Sequence, residues 1–95
     1  MSAFVIADIR VKDAEAYDDY KSGVGATVAA FGGRFLARAG RTVALEGDWQ
    51  PGRVVVIEFP DMARLEAWYR SADYAPLLAI RLAAADGNLI AVDGV

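Results

Sequence analysis

The chain has 95 residues, 56% of them hydrophobic, with 10 Lys and Arg against 13 Asp and Glu and a formal charge of −3. That balance, with a pI near 4.7, argues against a nucleic-acid groove, which needs a basic stripe. Cys and His are both 0, which excludes a disulfide framework, a thiolate nucleophile, an imidazole base and a haem held by a proximal His.

The length fits one domain over residues 1–95. Its apolar opening, Met1 to Asp8, lacks a basic n-region and is cut by Asp8, so it is not read as a signal peptide. No apolar run approaches the ~20 residues of a membrane helix, and a cytoplasmic protein is expected.

Ala3 to Ile9 is apolar apart from Asp8 and reads as a strand buried on both faces. Asp13 stands where a helix N-cap belongs, followed by the acidic Glu15, Asp18 and Asp19. The spacing of Tyr17, Tyr20, Val24, Val28 and Phe31 predicts a helix over 14–31. Gly23 and Gly25 inside it point to a kink, a tight contact or a relaxed surface turn, and Gly32-Gly33 ends it.

Arg34 to Ala39 alternates as a strand, with Arg34, Leu36 and Arg38 on one face. A bend or bulge is expected at Gly40, with the strand resuming over Thr42 to Glu46. Residues 47–52 form a turn cluster. Arg53 to Phe59 is the clearest strand, with Glu58 its one interior charge. Pro60 and Asp61 break it and cap a helix over 62–70. After an interruption at 71–74, a further helix with Pro76 in its first turn runs to about Ala85. Asp86-Gly87 stops it, and Asn88 to Val92 is the last strand.

The order β-α-β-β-α-β makes an α+β sandwich with helices on one face of an antiparallel sheet. Right-handed crossovers are expected to bring the first and third strands together at its centre as a parallel pair. Strands apolar on both faces need a second cover, and a mean hydropathy of +0.26 is high for so short a chain. A partner sheet from a homodimer would supply that cover.

Charge inside apolar elements marks the candidate site. Glu58 is expected between the two sheets, beside Asp8, and must there be paired or have a raised pKa. Arg34, Arg38 and Arg41 are its candidate partners. Arg81 is another, because it occupies a helix position where Leu is expected. Such a cluster is either a salt bridge that fixes register or the dimer, or the polar floor of a small-molecule pocket. Trp68, Tyr69 and Tyr74 lie close together and either line a flat ligand or pack the core. Trp49 in the turn is explained by a dimer contact. No metal or bound cofactor is called for.

The segments DAEAYDDY at 13–20, FGGRFLARAG at 31–40, ALEGDW at 44–49, VVVIEFPD at 54–61 and AWYRSADYAPLLAIR at 67–81 resemble the DUF1330 family, in order and spacing over nearly the whole chain. The resemblance implies a ferredoxin-like fold within the dimeric α/β-barrel superfamily. It also implies signature positions at Gly33, Glu46, Gly47, Glu58, Phe59, Trp68, Tyr69, Tyr74 and Arg81. The family has no settled activity. Its wider superfamily includes cofactor-free monooxygenases, lactone isomerases and haem enzymes, and the lack of His disfavours the last.

Three functions remain open. The first is a cofactor-independent enzyme, an isomerase or monooxygenase on small organic substrates, with Glu58 as general acid or base and an Arg orienting an anionic or carbonyl group. The second is a dimeric domain that binds or senses a metabolite, with Arg38, Trp68, Tyr69, Tyr74 and Arg81 as ligand-binding candidates. The third is a purely structural dimer.

Overall fold

Two aspartates start the first helices and so set where the strands before them stop. In the computed structural model, which describes all of residues 1–95, β1 spans Ala3–Val11 and α1 spans Ala14–Ala30. Asp13 accepts a hydrogen bond from the Ala16 amide at 3.1 Å and satisfies one of the free donors of the first turn. β2 is Arg34–Arg38, β3 is Arg53–Phe59 and α2 is Met62–Tyr69. Asp61 repeats the cap, accepting from the Arg64 amide at 2.8 Å. α3 is Ala75–Ala84, with Pro76 in its first turn, and β4 is Ala85–Asp93.

Gly32 ends α1 at φ 78°, a left-handed conformation that glycine adopts without a Cβ penalty. Gly23 serves close packing instead. A Cβ there would stand 2.9 Å from Leu77 of α3, so the glycine lets the two helices meet.

The sheet order is β2-β3-β1-β4 and every neighbouring pair is antiparallel. The expected parallel pairing of the first and third strands is therefore corrected. α1 returns the chain, so β1 and β2 run the same way, and the following reversal makes β3 run against both. Asp8 faces Val54 across the ladder and Glu58 faces Phe4. The two carboxylates share a face but stand at opposite ends of it.

Two local expectations also change. Residues 42–46 form no strand, because the chain leaves the sheet at Ala39, whose φ is 59°. The bulge lies between Phe35 and Ala37, not at Gly40. It inserts one residue and so shifts the alternation. Arg34 then faces one side with Glu58, while Arg38 pairs with Val55 and faces the other. The last strand starts three residues earlier than its composition suggests. The Ala84 carbonyl that ends α3 accepts from the Lys12 and Asp13 amides at 2.8 and 3.0 Å, and Ala85 already pairs with Val11.

All helices lie on one face of the sheet. Ala3, Val5, Ala7 and Ile9 of β1 alternate into that side and are buried, as are Ile57 and Phe59 of β3. Tyr17, Tyr20, Val24 and Val28 of α1 close over them, with Leu65 and Trp68 of α2 beside. The other face carries Phe4, Ile6, Val54, Val56, Ile90 and Val92, all half-buried or exposed, with Ile90 at 58%. No helix is long and apolar enough to cross a membrane.

Candidate functional site

The helix-covered side is not filled to its end. Near the C-terminal end of β1 a cavity runs between the sheet and the helices, walled by Val5, Ala7, Ile9, Val55, Ile57 and the ring of Trp68. Its free space is about 450 Å³ measured to the atom surfaces and including the mouth, and about 30 Å³ of it admits the centre of a water-sized sphere. It is a narrow slot with room for about two waters. Arg38 is an exposed rim residue.

The polar groups around this slot are all cations and phenols. Lys21, Arg38, Arg53 and Arg81 line it with Tyr17 and Tyr20, and no Asp or Glu does. Arg81 of α3 is 7% exposed and has no carboxylate within ion-pair distance. Its one side-chain hydrogen bond is long, Nε donating to the Tyr74 hydroxyl at 3.4 Å. Burial works against the cation, but that bond and the surrounding phenols of Tyr74, Tyr20 and Tyr69 outweigh it and hold Arg81 above its usual pKa. The guanidinium is thus charged, nearly dry and short of acceptors.

Tyr74 is fully buried and shares a 2.8 Å hydrogen bond with the Tyr20 hydroxyl. Burial first, then the Tyr74 hydroxyl, push the Tyr20 phenol far above its ordinary range, so Tyr20 stays protonated near neutrality. Trp68 donates Nε1 to Thr27 Oγ1 at 3.0 Å, and Thr27 donates onward to the Val24 carbonyl at 2.7 Å. With its N–H satisfied, the indole offers the cavity only apolar surface. The turn between α2 and α3 sets this stack: Ser71 Oγ donates to the Trp68 carbonyl and accepts from the Tyr74 amide, bringing the two rings to 4.3 Å.

Of the sequence-derived candidates, Arg38, Trp68 and Arg81 line the cavity and Tyr74 stands behind it, holding Arg81. Tyr69 lies on the outer side, 36% exposed, against a surface groove with Leu65 and Arg70. Glu58 is on the opposite face of the sheet, where Arg34 Nε donates to it at 2.8 Å. Arg34, then Ser2, hold its carboxyl below the usual value; it is paired, and its pKa is not raised. Asp8 on the same face is also lowered, first by Trp49, whose Nε1 donates at 2.9 Å, and then by the Gly52 amide at 2.8 Å.

Sequence reasoning missed Arg53, Tyr17, Tyr20 and Lys21 as lining residues. For Arg53 a signal existed. Strand alternation puts it on the same face as Val55, Ile57 and Phe59, a charge at the end of the apolar helix-side row. Its guanidinium lies 5.4 Å over the Tyr17 ring, and its Nε is buried without an acceptor. No group of three or more acidic side chains is placed to hold a metal ion.

This order of elements and this sheet define an α+β protein of the ferredoxin-like class. The chain belongs to the family "Domain of unknown function (DUF1330)", whose model matches residues 2–95. A protein of unknown function from Rhodopseudomonas palustris, RPA0582, superposes with a TM-score of 0.81 at 22% identity, over 99% of this chain and 82% of that one. A dimeric ferredoxin-like protein of unknown function from Jannaschia sp. CCS1 gives 0.72 at 10%, over 99% and 100%. The cofactor-independent oxygenase SnoaB from Streptomyces nogalater gives 0.62 at 10%, over 99% and 93%. Among curated proteins, none matches the sequence.

Proposed function

We propose that this protein is a homodimer that binds a small organic acid with an apolar, preferably aromatic, body in the slot between its sheet and its helices. The observation that carries the reading is Arg81, a guanidinium 7% exposed, facing an apolar cavity with no acidic partner. An isolated buried charge is costly, and a ligand anion would supply the missing counter-charge. Trp68 and the β1 side chains would pack the body of the ligand, and Arg38, resting 4.3 Å over Phe35 at the rim, would close behind it.

The homodimer rests on the open sheet face, whose row of Phe4, Ile6, Val54, Val56, Ile90 and Val92 is too large an apolar patch for a lone small domain. The Jannaschia protein, described as dimeric, is consistent with this.

The reading favours binding over proton abstraction, because the slot is lined by cations and phenols and by no carboxylate that could serve as a base. A catalytic alternative is favoured by one feature. Arg81 and the hydroxyls beside it suit stabilisation of an enolate or phenolate oxygen, so a substrate that is itself acidic could react here without a protein base. That chemistry would resemble the cofactor independence stated for SnoaB.

Titration calorimetry with benzoate and with benzamide, its neutral isostere, tests the reading. Benzoate should bind at least about tenfold tighter, a difference of about 1.4 kcal/mol, and Arg81→Met should remove the preference. Equal binding of acid and amide would sink it.

A further inference from the structure

The cavity is lined by a second guanidinium that, like Arg81, has no carboxylate within ion-pair distance. Arg53 comes from β3, enters the same lining, and also borders the groove of Arg10, Val11, Asp18 and Gly52, which shares Ile9, Tyr17 and Lys21 with the slot. Its Nε is buried and donates to no acceptor in the protein, and no carboxylate lies within 4.0 Å of it. Its nearest electron-rich partner is the face of Tyr17, an uncharged ring. The one acid of that groove, Asp18, is engaged by Lys21 at 3.2 Å.

Two guanidiniums therefore face one apolar space, one buried deep on α3 and one at the mouth on β3, with no negative charge between them. A single carboxylate held in a bidentate pair fills the fork of one of them and leaves the donors of the other open. Each guanidinium has a planar fork of donors that fits a carboxylate in two parallel hydrogen bonds. The remaining cations are differently occupied: Lys21 by Asp18, and Arg38 by its donation to the Lys21 carbonyl at 2.8 Å.

Resting on the organic-acid reading above, we infer that the ligand carries two anionic groups on one flat apolar body, the inner held by Arg81 and the outer by Arg53. Arg53 is then the residue that selects a diacid over a monoacid, and the Trp68 side of the slot selects for the ring between them.

The test uses the full chain and four probes: benzoate, and the 1,2-, 1,3- and 1,4-benzenedicarboxylates, titrated at fixed ionic strength. At least one diacid should bind about tenfold or more tighter than benzoate. Arg53→Met should cost that diacid about tenfold more than it costs benzoate, while Arg81→Met weakens both. Arg53→Lys, which keeps the charge and loses the fork, should recover part of the diacid affinity and guards against a merely unfolded Met variant. If benzoate equals every diacid and Arg53→Met affects both alike, while Arg81→Met still abolishes binding, the two-anion inference is overturned and the organic-acid reading stands. If no acid binds at all, both fall.

Discussion

On the open face of the sheet each acid has its donors: Asp8 has the Trp49 indole and the Gly52 amide, and Glu58 has Arg34. Around the slot on the helix-covered side the charges are all basic, and neither Arg53 nor Arg81 has a carboxylate within ion-pair distance. The first face is apolar with its charges already satisfied, as a surface that meets another protein surface should be. The second is apolar with its charges unsatisfied, as a surface that meets a small anion should be. An ionised side chain in an apolar element is thus no sign of a ligand site until its partners are known.

The strongest way to break this contrast is to collapse the helix-covered side. Trp68 is 1% exposed and packs on Phe59 and Tyr74 at ring distances of 5.3 and 4.3 Å. Trp68→Ala should cost about 3–5 kcal/mol of stability in urea unfolding, a large share of the 5–15 kcal/mol of a small domain. A loss under 1 kcal/mol would mean that the wall of the slot is not part of the core.

Next comes the open face. Val56 sits at its centre, between Ile6 and Ala37 in the ladder. Val56→Asp should turn the proposed dimer into a monomer by light scattering, because an unpaired carboxylate would be buried in the interface. Acid binding in the slot should survive. Retention of the dimer would show that another surface joins the subunits.

The smallest effect sharpens the charge account. Glu58 has its pKa held below the ordinary 4.5, chiefly by Arg34. A depressed folded value contributes stability above 4.5 that is lost as pH falls through the folded value. The melting temperature of the wild type should therefore exceed that of Glu58→Gln at pH 7, and the gap should close as pH falls below about 4.5 through the depressed folded value. Arg34 is largely exposed and Glu58 partly so, and solvent screening keeps the effect modest. A gap that widens in acid would contradict the pairing with Arg34.

Much of the fold was legible because its signals are short-range. Asp13, Asp61, Gly32 and Pro76 mark helix ends by backbone chemistry that acts within four residues, and each sits where it was read. Arg34 to Arg38 was not fully legible. One extra residue between Phe35 and Ala37 moves Arg38 from the expected open side to the cavity, and no composition marks it. The apolar stretch around Val43 and Leu45 was read as strand, but those side chains stand 60% and 89% exposed in a loop.

By itself the sequence determined the family, the seven elements and the presence of apolar residues on both strand faces, since these depend on residue type and spacing along one segment. Only the tertiary structure decided that β1 and β3 run in opposite directions, that Glu58 belongs with Arg34 away from the aromatic cluster, and that Arg53 and Arg81 meet at one cavity. Those facts depend on how distant segments cross and in what register. Alternation tells which residues share a face, but the connections between strands decide which neighbours that face receives.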